Sequence, residues 1–158
     1  MAKPARNASS KEIARSARTF FATTRTHMGR RLFQSDRNAT LLIGVLRSCI
    51  AAHEFQIHDF VIMPDHVHLL ITVHDQMTIE KAMQLIKGRF SYLVKKEHGY
   101  LGEVWQRGFS EVRISDEQSL QKHREYIAQN PVKAGLAEGP NEYPYCYASL
   151  ARKKAGRG

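Results

Sequence analysis

Two groups of polar side chains have types and spacings that allow chemistry together. His66 and His68 are separated only by Val67, inside the apolar run 60–72 (Phe-Val-Ile-Met-Pro-Asp-His-Val-His-Leu-Leu-Ile-Thr). Side chains of a strand alternate between its two faces, so both imidazoles leave the same face side by side, as a pair able to hold one metal ion. Tyr126 has Asn130 four residues on and His123 three residues before it. On a helix these three share a face at roughly 5–6 Å between Cβ atoms. A divalent ion held by two imidazoles and an oxygen can polarise and orient a phosphodiester while a tyrosine oxygen attacks its phosphorus. Asn130 would supply that oxygen, with His123 and Gln129 as weaker candidates. Taken singly the signals are unspecific: a His-x-His strand is as often structural as metal-binding, and a helix tyrosine is more often a half-buried aromatic. The other five tyrosines, at 92, 100, 143, 145 and 147, lack a comparable polar partner at helical spacing.

The elements that must position these groups follow from hydrophobic periodicity. Residues 18–24 are rich in aromatic and β-branched types and read as a first strand. After a turn at Gly29, a helix starts at Asp36 as N-cap and buries Leu41, Leu42, Val45, Leu46, Cys49 and Ile50. Residues 56–63 and 66–73 form a hairpin around Pro64-Asp65, with Val67, Leu69, Ile71 and Val73 as its core face. Thr78 caps a long helix with Ile79, Ala82, Met83, Ile86, Phe90, Leu93 and Val94 inside, and Lys81, Lys87, Arg89, Lys95 and Lys96 outside. A loop at Gly99 and Gly102 leads to a strand at 109–114. A third helix begins near Asp116 and is expected to stop before Pro131, because proline disfavours helical geometry in the residue preceding it. The order β-α-β-β-α-β-α predicts an α+β fold of the ferredoxin-like, split β-α-β type: an antiparallel sheet with helices on one face and an added C-terminal, tyrosine-bearing helix.

The length of 158 residues is expected to hold one domain over 15–150. Its 42% hydrophobic and 25% charged residues exclude a disordered chain, and no apolar run is long enough to span a bilayer. Residues 1–31 carry eight Lys/Arg against one acid (+7), residues 151–158 carry four against none (+4), and the middle carries twelve against fourteen (−2). A basic, flexible arm at 1–14 and a basic tail at 151–158 are thus expected to flank a nearly neutral body. Such arms suit a polyanion such as nucleic acid, and equally suit solvated tails. No apolar segment of a secretion signal follows the N-terminal bases, and Cys49 and Cys146 lack metal spacing; a cytoplasmic protein with reduced thiols is expected.

Four segments together resemble a known family: 60–70, 104–109 (Val-Trp-Gln-Arg-Gly-Phe), 126–136 (Tyr-Ile-Ala-Gln-Asn-Pro-Val-Lys-Ala-Gly-Leu) and 143–145 (Tyr-Pro-Tyr). In order from about residue 18 to 150 the chain resembles the IS200-like Y1 transposases, and within them the REP-associated tyrosine transposases. The resemblance implies an HUH-type nuclease fold and a metal-dependent transposase that cleaves and rejoins single-stranded DNA near hairpins, repetitive extragenic palindromes above all. It implies Mg²⁺ or Mn²⁺ as cofactor, His66 and His68 as metal ligands, Tyr126 as nucleophile and Asn130 at the third-ligand position. DNA contacts are expected from Lys87, Arg89, Arg107, Arg113 and Lys133, in a nucleoid-associated monomer or homodimer. Asp65 stands where the family more often has Asn, and Cys146-Tyr147 where it has Ser-Ser. The alternatives are a domesticated, non-catalytic nucleic-acid-binding protein on the same scaffold and, more weakly, a zinc-dependent hydrolase, which needs a third strong ligand.

Overall fold

A computed structural model of the chain describes residues 17–150; the expected basic arm (1–14) and tail (151–158) lie outside the described residues. The elements run β1 (Arg18–Arg25), α1 (Asp36–Ala52), β2 (Gln56–Met63), β3 (His66–Val73), α2 (Ile79–His98), β4 (Ser110–Ile114) and α3 (Glu117–Lys133), the order the sequence predicts. The four strands form one antiparallel sheet in the order β2-β3-β1-β4. β1 and β3 are therefore the inner pair, with Thr23 opposite His68 and Arg25 opposite His66.

The alternation of β3 decides the two faces. Val67, Leu69, Ile71 and Val73 are buried with Leu42, Leu46 and Cys49 of α1 and Met83, Ile86 and Phe90 of α2. Leu70, on the opposite face, joins a second cluster with Val61, Met63, Ile114 and Ile127. Ile127 belongs to α3, so that helix covers the sheet face from which His66 and His68 project. The segment after α3 covers the last residues of the free edge of β2: Ile62 N–H donates to the Tyr145 carbonyl (2.8 Å), and Tyr143 Oη donates to the Ile62 carbonyl (2.8 Å).

Helix starts follow side-chain capping. Thr78 accepts from Lys81 N–H and Asp116 from Ser119 N–H, as their positions suggest. The cap of α1 is Ser35 rather than Asp36: its hydroxyl accepts from Asn38 N–H, and Asp36 instead sits in the first turn, where its charge favours the helix dipole.

The expected stop of α3 before Pro131 is wrong. The helix runs on to Lys133 with Pro131 buried inside it. The pre-proline bias is modest, and here burial of the ring offsets it. The carbonyls of Asn130, Pro131 and Val132 still accept hydrogen bonds, from the N–H groups of Ala134, Leu136 and Gly135 respectively. Asn130 consequently stays helical, one turn beyond Tyr126. β2 also departs from a regular strand, with a register shift between Ile57 and Asp59. The extra residue brings His58 onto the α3 side, where its Nε2 bonds Thr72 Oγ1 at 2.6 Å.

Candidate active site

The imidazoles of His66 and His68 lie with ring centroids 4.8 Å apart. Each is held through Nδ1. His66 Nδ1 meets Asp65 Oδ1 at 2.7 Å, and His68 Nδ1 meets Thr23 Oγ1 at 2.8 Å. That pattern leaves both Nε2 atoms for a ligand, and the one on His68 is buried without a hydrogen-bond partner in the structure. A buried polar atom with no partner is costly unless something else satisfies it. His68 is only 4% exposed, and burial, reinforced by His66 and then Arg25, pushes its pKa down to about 3. The ring is therefore neutral near pH 7, the state in which imidazole donates a lone pair to a metal. Asp65, in the hairpin turn, orients His66 through its bond to Nδ1.

Tyr126 meets this pair within one chain, its ring centroid 5.4 Å from that of His68. It is 46% exposed, whereas its neighbour Ile127 is buried and seats the helix. Between the strands and the helix stands Phe21 of β1. It stacks on His68 (5.2 Å, 19°), touches His123 (4.7 Å) and meets Tyr126 edge-on (5.8 Å). His123 is turned back on its own helix, Nδ1 donating to the Ser119 carbonyl at 2.8 Å. Asn130 lies half-buried one turn along the face of Tyr126, and Gln129 is half-buried beside it. Among the described residues no group of three His, Cys, Asp or Glu could hold a metal ion.

The basic residues expected to touch DNA separate into three settings. Arg107 is exposed and lines a cleft of about 240 Å³ with Thr23, Arg25, Gln106, Gly108, Phe109 and Ser110, beside His68. Lys133 is exposed in the last turn of α3. The other three are engaged elsewhere. Lys87 donates to the carbonyls of Gln106 (3.3 Å) and Gly108 (2.7 Å), and its burial lowers its pKa. Arg89 pairs with Glu54 at 3.1 Å and with Cys49 on α1. Arg113 lies 5.6 Å over the ring of Phe20, on the face opposite the histidines. Trp105 is a packing residue: it contacts Phe33 and Phe90, and its indole donates to the Lys87 carbonyl.

The family model described as "Transposase IS200 like" matches residues 19–130, from the first strand to Asn130. This chain belongs to the IS200-like transposase family. The IS200-like chain is 34% identical over 96 residues to a Haemophilus influenzae protein assigned as a REP-associated tyrosine transposase, covering 53% of each. It is 27% identical over 92 residues to the REP-associated tyrosine transposase of Escherichia coli, covering 58% of this chain and 53% of that one. It thus spans about half the length of the curated relatives it matches. Among solved structures it resembles a REP-associated tyrosine transposase bound to a REP hairpin, with a TM-score of 0.69 and 24% identity over 82% of this chain and 75% of that one. A Deinococcus radiodurans protein assigned as a transposase follows at 0.53 and 20%, over 69% of this chain and 87% of that one. These two likenesses show the fold, which is the α+β sheet-and-helix plan read from the sequence. No helix among the described residues of this IS200-like transposase is long and apolar enough to cross a membrane.

Three contributors escaped the sequence reading: Thr23, Phe21 and Arg25, all from β1. Their alternation in β1 was readable, but their position beneath His68 depends on β1 pairing with β3, more than forty residues away.

Proposed function

We propose that this chain is a metal-dependent, single-strand-specific DNA transposase that cleaves and rejoins DNA beside hairpins of the REP type, with Tyr126 as covalent nucleophile. The observation that carries the reading is the unpartnered Nε2 of a buried, neutral His68 beside a half-exposed tyrosine of the same chain. The donor set fits a divalent ion, Mg²⁺ or Mn²⁺: two imidazoles presenting Nε2, with Asn130 as the oxygen ligand. When bound, the ion polarises the scissile phosphate as a Lewis acid.

The protein's own part is positioning. Phe21 and Ile127 fix the ring and the helix that carry the nucleophile, and Thr23 and Asp65 fix the two imidazoles. Tyr126 Oη attacks phosphorus and gives up its proton. The bond from phosphorus to the 3′ oxygen breaks, and the 3′-hydroxyl leaves with a proton. The 5′-phosphate stays on the tyrosine as a diester, so one phosphodiester has been exchanged for another. A second 3′-hydroxyl can then attack the same phosphorus, expelling Tyr126 and joining the strands.

Incubation with Mn²⁺ or Mg²⁺ and labelled single-stranded hairpins tests this reading. The expected result is a protein–DNA adduct that survives denaturing electrophoresis and is absent from Tyr126→Phe and from His66→Ala/His68→Ala. No adduct with any divalent ion over a range of hairpins overturns the transposase reading; an adduct formed by Tyr126→Phe overturns the nucleophile alone.

A further inference from the structure

The cleft beside His68 has its own chemistry. Its lining holds two guanidinium residues, Arg25 and Arg107, two hydroxyl residues, Thr23 and Ser110, and no acid. Neither arginine makes an ion pair among the described residues, unlike Arg89. Thr23 belongs both to this lining and to the catalytic pair, since its hydroxyl holds His68. Arg25 stands directly opposite His66 in the ladder, its side chain on the same face of the sheet as the two histidines.

The wall carrying Arg107 is braced from behind. Gln106 N–H donates to the Arg25 carbonyl at 2.8 Å, and Thr26 bridges Trp105, so the wall is tied to the end of β1. Lys87 grips the Gln106 and Gly108 carbonyls, and Gly108 takes a positive φ of 79° that a side chain would resist. A positive, acid-free cleft on a braced loop, opening next to the proposed reacting centre, is suited to an anion that must sit in a fixed place.

We propose that Arg25 and Arg107 form a subsite for one backbone phosphate of single-stranded DNA adjoining the scissile bond, which sets where the strand lies against Tyr126. Arginine suits the task because its planar fork of donors matches phosphate oxygens two at a time. The inference rests on the strand-cleavage reading above for its substrate, although it concerns binding and not the chemical step. Arg25 is the new assignment; Arg107 acquires a defined partner.

The test uses the full chain carrying Tyr126→Phe, so that binding is read without cleavage. A panel of hairpin oligonucleotides with single-stranded flanks is made, each with one phosphate replaced by a neutral methylphosphonate. One position in the flank is expected to weaken binding about tenfold, the lower end of a charge-assisted hydrogen bond. In Arg25→Ala/Arg107→Ala, binding to the unmodified hairpin falls by a similar factor and the methylphosphonate at that position has no further effect. The slope of log affinity against log salt also drops by about one. Arg113→Ala, on the other face, keeps the positional effect. Additive losses at every position, or unchanged binding by the double variant, overturn the subsite while leaving the adduct assay untouched. Absence of binding to any hairpin overturns both readings, whereas positional coupling without any adduct in the unsubstituted protein keeps the subsite and overturns the strand-cleavage reading.

Discussion

Replacing Thr23 by valine should impair metal loading without disturbing the metal ligands. Thr23 is 8% exposed, and valine has nearly its shape, so the substitution removes one hydroxyl and little packing. For His68 to offer Nε2 to a metal, its proton must reside on Nδ1, where Thr23 Oγ1 accepts it at 2.8 Å. In Thr23→Val that N–H is buried without an acceptor, at a cost of about 1–3 kcal/mol. The ring can shift its proton to Nε2, but that places it on the nitrogen the metal needs, and binding must then reverse the shift. At ~1.4 kcal/mol per decade the penalty is roughly five- to 150-fold in metal affinity, which overlaps the range of about 10–100-fold for partners behind ligating histidines. The assay is the Mn²⁺ concentration that gives half-maximal adduct formation. Thr23→Val should raise it by a factor in that range and approach the unsubstituted rate at saturation, while Thr23→Ser stays close to the parent. A folded Thr23→Val protein with unchanged Mn²⁺ dependence would refute the tautomer argument and, with it, the role of Nε2.

Three other perturbations separate parts of the account. Lys87→Met removes two hydrogen bonds to the 106–109 loop, each worth about 1 kcal/mol; hydrogen exchange at Gln106 to Phe109 should speed up while the salt slope of DNA binding holds, and a slope smaller by about one would return Lys87 to phosphate contact. Asp59, whose carboxyl burial pushes up to about 6 against the pull of Phe60 N–H and Arg124, holds its proton in the folded state to a higher pH than in the unfolded chain. Its contribution to stability is therefore complete below about pH 4 and lost as pH rises through 6, so the melting temperature of Asp59→Asn relative to the parent should climb across that window and level off above it; a constant difference refutes the burial argument. Because Tyr126 and His68 meet within one chain, a mixture of Tyr126→Phe with His66→Ala/His68→Ala should give no adduct, and recovery of activity on mixing would show that the site is shared between chains.

What could be read from the sequence divides along sequence separation. The alternation in β3 and the three- and four-residue spacings in α3 are local periodicities enforced by burial, and both placed their polar residues on the right faces. Caps at Thr78 and Asp116 were equally local. The α1 cap missed by one residue because Ser35 and Asp36 are both competent and only the geometry chooses. Pro131 failed as a stop because a rule about one residue's backbone preference yielded to tertiary burial of its ring. Lys87 and Arg89 were assigned to DNA on helical spacing, which shows which face is solvated but not what the neighbouring loop or helix offers a long side chain. Lys87 found two loop carbonyls, and Arg89 found Glu54.

The histidines stand on β3 and the tyrosine on the last helix, and neither segment alone explains why they meet. β1 does. As an inner strand it supplies Thr23 to His68, Phe21 to His68, His123 and Tyr126, and Arg25 to the neighbouring cleft, from three alternate positions on one face. Period-two geometry makes those three side chains point the same way, so a one-residue slip of β1 would turn all of them into the α1/α2 core and bring Phe20, Ala22 and Thr24 to the site instead. The slip is opposed by the burial of Ala22 and by the packing of Phe20 on the core side. The same apolar pattern that sets the register of the sheet therefore also sets which β1 side chains face the proposed metal ligands, the nucleophile and the phosphate subsite.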